Sequence, residues 1–201
     1  MSTAPHRRLT EAEYLATERA AETKSEFYDG EMFAMAGARR NHNLIAGNIF
    51  GELREQLRKG PCEVYPGNMR VKVAKTGLYT YPDVVVACGD PRFLDAEVDT
   101  LLNPTLLVEV LSESTAKYVR NLKSRLYRKL PSLKQYVIVE QDEPLVAVYT
   151  RTPSDEWKLA DASKLTESVP LKSIGCKLPL AAVYEKVKFP KVPEGPKPGP
   201  R

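Results

Sequence analysis

The stretch from about residue 105 to residue 140 constrains the fold more than any other part of the chain. An apolar run over residues 105–111 is followed by a helical pattern from about 114 to 130, which Pro131 ends, and then by the apolar run QYVIVE. Two strands joined through a helix run parallel when the crossover returns the chain to the same sheet. The sequence therefore predicts a β-α-β unit and a sheet that is parallel in part.

The rest of the chain predicts strands and helices around this unit. Thr10 and Glu13 form a capping box that predicts a helix to about residue 22, and a stripe of Leu and Ile ended by Gly60 predicts a second helix over about 41–59. Asp29-Gly30 is typical of a hairpin turn between two short strands. Further strands are predicted at 62–66, 69–74, 79–88, 105–111, 135–140 and 145–150, with a strand pair and a short helix at 157–184. The fold class is therefore α/β, a mixed β-sheet flanked by helices.

Size and composition set the domain organisation. With 201 residues, of which 42% are hydrophobic, the chain has room for one domain with a buried core. Residues 190–201 contain five prolines and almost nothing apolar. We expect a flexible N-terminus at 1–9, one domain at 10–189 and a disordered Pro/Lys-rich tail at 190–201.

Apolar runs and cysteines bear on where the protein works. The longest apolar runs are far shorter than the roughly 18 residues that a membrane helix needs, and no charged-then-apolar leader opens the sequence. Three cysteines without a CxxC pair argue against a disulfide framework and against a thiolate zinc site. We expect a soluble, cytoplasmic protein with reduced thiols and no contact with a membrane.

The charge of the chain is unevenly distributed. Residues 186–201 carry the net charge of +4, so residues 1–185 are neutral overall. Residues 112–135 nevertheless contain seven Lys and Arg against one Glu, and residues 10–31 contain seven acids against two bases. A basic face for nucleic acid is one interpretation of the first run, and a solvated helix face is the commoner one.

Two carboxylates stand where burial is expected. Asp83 precedes the apolar run from Val84 to Ala87, and Glu109 interrupts the run over 105–111. A buried ionised carboxylate costs several kcal/mol unless it is compensated. For Glu109 alone, one explanation is a structural ion pair, or a strand that is exposed on one face. Two such carboxylates on adjacent strand ends favour a second explanation, a site for a divalent cation, because like charges held close together attract one.

Oxygen ligands without cysteine or several histidines favour Mg²⁺ or Mn²⁺ over zinc. Such an ion suits the hydrolysis of a phosphodiester, which also needs a nearby cation. The helix after Glu109 has an apolar stripe that includes Val119 and Leu126, and Lys123 at the edge of this stripe is best placed to reach over the sheet. The alternative is an exposed lysine that covers apolar neighbours.

Five stretches of the chain share the order of motifs found in a known nuclease family. They are EYLATERAAETKSEFYDGEMFAMAG, NHNLIAGNI, YTYPDVVVACG, NPTLLVEVLS and YRKLPSLKQYVIV, and the likeness extends from about residue 10 to residue 184. Together they resemble the PD-(D/E)xK nuclease superfamily and, more narrowly, the family known as putative restriction endonucleases. The resemblance implies a restriction-endonuclease-like core whose sheet carries metal-binding carboxylates at one edge.

The resemblance also implies roles for four residues. Asp83 and Glu109 would bind the metal, Glu26 would assist as a ligand or orient water, and Lys123 would position the attacking water or neutralise the phosphate. For Glu26 the alternative is an acid at the edge of a hairpin. The chain departs from the pattern at Leu111, where the superfamily has its lysine, and at Val119, where relatives tend to have an acid.

Three further residues are candidate substrate contacts. His42 shares a helical face with the core, so it is either a partly buried histidine or a group that reaches the cleft from the side of Glu26 and contacts phosphate or metal-bound water. Arg70 lies two residues from Lys72 on one strand face, where the pair touches a nucleic-acid backbone or simply covers the sheet. Tyr127 follows Lys123 by one helical turn.

These features predict a Mg²⁺-dependent endonuclease that acts on DNA, and family analogy predicts a homodimer. Two alternatives remain open at this level. The same scaffold serves as a nucleic-acid or protein binding module without turnover, or it hydrolyses a small phosphoester in a closed pocket. A binding module without turnover has no reason to hold a metal between Asp83 and Glu109, so metal binding there would favour an enzyme. An enzyme for a small phosphoester would lack the salt dependence that binding to a nucleic-acid backbone produces.

Overall fold

The structure, a computed structural model, describes residues 7–113 and 115–190 and contains two larger β-sheets rather than one. The predicted tail, apart from Pro190, and the first six residues of the predicted flexible N-terminus lie outside the described residues. Numbered along the chain, the strands are β1 (Ser25–Tyr28), β2 (Glu31–Ala34), β3 (Cys62–Pro66), β4 (Arg70–Val73), β5 (Leu78–Thr80), β6 (Val84–Cys88), β7 (Thr100–Leu101), β8 (Leu106–Val110), β9 (Gln135–Val139), β10 (Val146–Arg151), β11 (Trp157–Ala162), β12 (Ser168–Leu171) and β13 (Cys176–Pro179).

The larger sheet contains the predicted β-α-β unit. Its six strands lie in the order β11-β10-β9-β8-β6-β3. β8 and β9 pair in parallel, which confirms the prediction from residues 105–140, whereas β10 pairs antiparallel with β9 as predicted. β11 extends this sheet, and the strand pair expected near the end of the chain is β12 with β13.

The second sheet has five strands in the order β2-β1-β5-β4-β7. The predicted hairpin is confirmed: β1 and β2 are antiparallel, and Asp29 and Gly30 join them with positive φ angles of 50° and 81°. Every partner of β1 and β5 in this sheet is antiparallel, and β7 adds a short parallel edge.

The prediction of one strand over 79–88 is wrong, because the chain changes sheets within it. β5 ends at Thr80 in the five-stranded sheet and β6 begins at Val84 in the six-stranded sheet. Pro82 lies between them, and proline has no amide hydrogen to continue a strand ladder. The break places Asp83 directly before β6, at the point where the chain passes between the two sheets.

The helices largely follow the predicted pattern. They are α1 (Glu11–Ala20), α2 (Arg40–Leu57), α3 (Ala116–Tyr118), α4 (Ser124–Tyr127) and α5 (Leu180–Val183). The capping box of Thr10 and Glu13 begins α1. The helix predicted over 114–130 is interrupted, because a π-helical segment (Val119–Lys123) separates α3 from α4. None of the helices in the described part of the chain is both long enough and apolar enough to cross a bilayer.

The two sheets pack in layers with helices outside them. One face of the six-stranded sheet buries Val84 and Val108 against Ile45 and Ile49 of α2. Its other face packs against α4 and the five-stranded sheet through residues that include Leu107, Val71 and Tyr127. The remaining face of the five-stranded sheet is covered by α1, where Tyr14 stacks on Phe27 and contacts Tyr79.

The prediction of three reduced thiols is wrong for two of the cysteines. Cys62 and Cys88 form a disulfide, and Cys176 is free. The two bonded residues are direct partners in the antiparallel pairing of β3 with β6. The spacing of 26 residues in the sequence gives no hint of this contact, because the pairing of an edge strand brings the cysteines together.

Candidate active site

The register of the larger sheet brings two carboxylates face to face. β6 and β8 are antiparallel with Val84 opposite Val108, so the same register continued by one residue places Asp83 opposite Glu109. Side chains at directly opposed positions share a face of the sheet, with Cβ atoms about 4.5–5.5 Å apart. The side chain of Asp83 also accepts a hydrogen bond of 2.7 Å from the amide of Val110. The convergence expected from the sequence is therefore present.

Glu26 reaches the same place from the other sheet. It lies in β1 and is buried, as is Glu109. The ammonium of Lys123 lies between these two acids, with Nζ 2.7 Å from Oε1 of Glu26 and 2.8 Å from Oε1 of Glu109. The structure thus brings together Glu26, Asp83, Glu109 and Lys123, the four residues selected from the sequence.

The π-helical segment explains how Lys123 is directed inward. Tyr118 donates a 3.0 Å hydrogen bond to Oε2 of Glu26, and Lys123 contacts Oε1 of the same carboxylate. Residues five apart in a regular α-helix point about 140° away from each other. The wider π turn brings them onto one side, so both side chains reach Glu26.

Lys123 is a permanent cation in this setting. Its side chain is only 5% exposed, and burial alone would lower its pKa. The carboxylates of Glu109 and Glu26 outweigh this effect and hold the pKa of Lys123 above its ordinary value. The ammonium therefore keeps its proton and supplies positive charge rather than acting as a base.

Three hydroxyl groups fix the carboxylates, those of Tyr118, Tyr127 and Thr80, and sequence reasoning selected only Tyr127. The hydroxyl of Tyr127, which is fully buried, donates a 2.6 Å hydrogen bond to Oε1 of Glu109. Thr80 donates to Oε1 of Glu26, and its hydroxyl lies 3.2 Å from that of Tyr127. A polar residue within the buried strand before Pro82 was the available signal for Thr80.

The site carries more negative than positive charge. Burial raises the pKa of Glu109, the neighbouring Asp83 and Glu26 raise it further, and Lys123 only partly opposes them. Three carboxylates share one ammonium and the imidazole of His42, and a divalent cation would relieve the repulsion among these acids.

His42 approaches from the side of Asp83 rather than from that of Glu26. Its Nε2 lies 3.4 Å from Oδ2 of Asp83, and its Nδ1 is buried without a hydrogen-bond partner among the described residues. Burial lowers the pKa of His42, but Asp83 reverses this effect and the pKa is raised. The histidine is therefore neither a fully satisfied core residue nor in contact with Glu26.

Free ligand atoms at this point fit a hard cation. Among the described residues, Oδ1 of Asp83 and Oε2 of Glu109 accept no hydrogen bond. Residues 7–113 and 115–190 contain no group of three or more His, Cys, Asp or Glu arranged to hold a metal ion. A cation here would have two carboxylate ligands and water at its other coordination positions, which is the usual coordination of Mg²⁺ in proteins.

Comparison with known protein families gives a match over most of the chain. The profile of the Uma2 family, described as "Putative restriction endonuclease", matches residues 11–181. The chain belongs to the Uma2 family.

Relatives and a solved structure support the assignment to the Uma2 family. Uncharacterized protein sll1609 of Synechocystis sp. is 37% identical over 153 residues, which are 76% of this chain and 86% of that protein. Uncharacterized protein slr1290 of the same organism is 32% identical over 186 residues, 92% of this chain and 96% of that protein. The crystal structure of a putative nuclease belonging to DUF820 from Anabaena variabilis superposes with a TM-score of 0.69 at 17% identity, covering 88% of this chain and 97% of that one.

The solved structure shares the fold, which is restriction-endonuclease-like. Family and fold together support a nuclease.

Arg70 and Lys72 are not placed with the carboxylates in this Uma2 chain. Arg70 is buried and donates to Thr100, to Tyr81 and to Asp99. Lys72 pairs with Glu11 of α1 at 2.6 Å. Both side chains lie under α1 on the outer face of the five-stranded sheet, so they cover the sheet in the way that the second interpretation of this strand predicts.

The basic run over 112–135 has two faces. Lys123 and Val119 are buried on the inner face, and Val119 belongs to the core. The outer face contains a depression of about 390 Å³. Its lining residues are Arg120, Asn121, Leu122, Ser124, Arg125 and Arg128.

Proposed function

We propose that this chain is a Mg²⁺-dependent endonuclease that hydrolyses phosphodiester bonds in DNA. The observation that carries the proposal is the cross-strand pair of Asp83 and Glu109 with the ammonium of Lys123 beside it. Two oxygen ligands next to an excess of negative charge suit Mg²⁺, or Mn²⁺ in its place.

Each residue has its own role in this proposal. Asp83 and Glu109 would hold the ion, which lowers the pKa of bound water and neutralises charge on the phosphate. Lys123 stays protonated and stabilises the negative charge that develops on the phosphate. Glu26 accepts hydrogen bonds from Thr80 and Tyr118 and so fixes the position of the Lys123 ammonium.

The test combines cleavage with metal binding. Wild-type protein should convert supercoiled plasmid to nicked and linear forms with Mg²⁺ or Mn²⁺, and chelation should stop the reaction. Asp83→Ala should abolish both cleavage and the Mn²⁺ binding heat in calorimetry, with unchanged circular dichroism. Asp161→Asn, on exposed β11, is the matched control and should leave both intact. Retained cleavage by purified Asp83→Ala would refute the site.

The second candidate is a binding module that uses the same scaffold without turnover. The observation that favours it is that Lys123 already pairs with Glu26 and Glu109, so the described residues provide only a two-carboxylate site. This candidate predicts nucleic-acid binding that needs no divalent ion and no heat on addition of Mn²⁺.

We also propose that the protein works in the cytoplasm as a homodimer. Two copies would address the two strands of a duplex, and closed two-fold dimers are the commonest assemblies of soluble proteins. Light scattering after size-exclusion chromatography should give twice the mass of one chain, and a monomer that cleaves both strands would contradict this.

A further inference from the structure

Phe33 is an exposed aromatic residue beside the candidate active site. It lies in β2, at the edge of the five-stranded sheet, and 47% of it is exposed. The register of β1 with β2 places it directly opposite Glu26. Opposed residues of an antiparallel pair point to the same face, so Phe33 lies on the face that carries the Glu26 carboxylate.

The opposite face of β2 packs against the protein at Met32, whereas the side chain of Phe33 is open to solvent. Met32, the preceding residue, packs against the cluster of Tyr14, Phe27 and Tyr79 under α1. Phe33 takes part in no ring pair found within residues 7–113 and 115–190 and belongs to none of the core clusters there. An exposed aromatic face at the rim of a charged cleft is therefore left without a covering group.

Positive charge lies around the same rim. The segment 35–39 leads from the end of β2 to the start of α2, and His42 in the first turn of α2 contacts Asp83, so this segment connects the strand of Phe33 to the helix of His42. Arg39 at its end is exposed, whereas the guanidinium of Arg40 donates to the carbonyl of Lys186. Lys117, next to the Glu26 partner Tyr118, is exposed on the neighbouring helix. These cations complement phosphates that flank a bound nucleotide.

We infer that Phe33 is a stacking platform for an unpaired base of the nucleic-acid strand whose phosphate enters the site. The inference rests on the proposed function and adds to it a binding residue and a substrate state, an unstacked or single-stranded nucleotide. Base stacking on an aromatic ring tolerates any sequence, because every base has a π face. The platform therefore favours binding of open DNA without selecting a sequence.

The experiment measures binding apart from cleavage. Protein in a buffer with a chelator, which removes divalent ions and so prevents cleavage, is titrated into a short oligothymidylate. The oligonucleotide carries one fluorescent adenine analogue, and stacking quenches the emission of this analogue. Phe33→Ala should weaken the Kd about tenfold or more and abolish the quenching, whereas Phe33→Trp should preserve both. Leu159→Ala is the matched control, because Leu159 is 57% exposed on edge strand β11 of the other sheet, and it should change nothing.

The outcomes separate this inference from the nuclease proposal. Wild-type cleavage with an unchanged Kd in Phe33→Ala would overturn the platform and leave the nuclease standing. Binding and quenching that depend on Phe33, without cleavage by the wild type, would support the platform and overturn the nuclease. Loss of the dimer in Phe33→Ala with unchanged DNA affinity would assign the edge to self-association and overturn the inference, as would wild-type protein that binds no oligonucleotide.

Discussion

At the scale of single residues, Lys123 offsets the free-energy cost of burying two carboxylates in the folded protein. Glu26 and Glu109 come from different sheets, are both buried, and meet at one ammonium. Removing one partner of a buried ionic network leaves a charge that water can no longer solvate. The lysine is therefore a structural requirement as well as a candidate for catalysis.

This argument predicts the cost of removing Lys123. Lys123→Met should destabilise the fold by about 3–5 kcal/mol, because two buried carboxylates lose their cation. Adding Glu26→Gln should recover part of that loss, so the two changes should be far from additive. Urea unfolding measures both effects, with Lys117→Met, exposed on the same helix, as the control. An unchanged unfolding midpoint for Lys123→Met would contradict the buried network.

Two buried tyrosines offer a matched pair of substitutions. The hydroxyl of Tyr127 donates to Glu109, whereas the hydroxyl of Tyr136, in edge contact with the Tyr127 ring, has no hydrogen-bond partner among the described residues. Tyr127→Phe should lower cleavage or Mn²⁺ affinity by about 10- to 100-fold, the usual effect of losing a group that orients a metal ligand.

Tyr136→Phe should leave both quantities unchanged, because it removes a buried hydroxyl that makes no bond. The two proteins are compared by calorimetry with Mn²⁺ and by plasmid cleavage. Equal effects of the two substitutions would mean that Tyr127 acts through packing and not through its hydroxyl.

At the scale of elements, α1 is attached to its sheet by charge as well as by aromatic packing. Arg19 of α1 and Arg70 of β4 both contact Asp99, which precedes β7. Hydrogen bonds from Arg19 and then from Thr100 and Arg70 hold the pKa of Asp99 well below its ordinary value, although burial opposes them. The carboxylate therefore joins the helix to two strands of the five-stranded sheet.

The lowered pKa fixes the sign of a pH effect. A carboxyl whose pKa is lower when folded adds stability above its unfolded pKa, near 3.8, and loses it as the pH falls through the folded value. Asp99→Asn should therefore be less stable than wild type at pH 7, on the order of 1 kcal/mol because a third of the side chain is exposed. The difference should shrink below roughly pH 4. Thermal unfolding across this range tests it, and a constant difference would contradict the ionic role.

Elements were predictable where a local pattern decides them. The capping box at Thr10, the turn at Asp29-Gly30 and the parallel unit over 105–140 each follow from neighbouring residues, and the structure contains all three. The π turn before Ser124 does not, because hydropathy looks alike on both sides of it, and the break between β5 and β6 had a local signal only in Pro82. Those two irregularities are what place Asp83 and Lys123 in the site.

At the scale of the whole molecule, the site lies where the two sheets face each other. Asp83 and Glu109 could be selected from the sequence, since charges within apolar runs are visible there. The contacts of Glu26 with Thr80 and Tyr118, and the ammonium of Lys123 that joins Glu26 to Glu109, depend on how the sheets pack, over separations that no local pattern encodes. The same limit applies to Arg70, because the strand pattern allows either a substrate contact or a residue that covers the sheet, and only the docking of α1 distinguishes them.

The disulfide allows a prediction for the whole molecule. Cys62 and Cys88 close a loop with a separation of 26 residues between edge strand β3 and β6. Loop-closure entropy predicts about 3–4 kcal/mol of stabilisation for that length. Oxidised protein should have one reactive thiol after unfolding, from Cys176, and dithiothreitol should raise this to three and lower the unfolding midpoint. Cys62→Ala with Cys88→Ala should reproduce the lower midpoint without reductant, and Cys176→Ala should not. Three reactive thiols in protein purified without reductant would contradict the cross-strand bond.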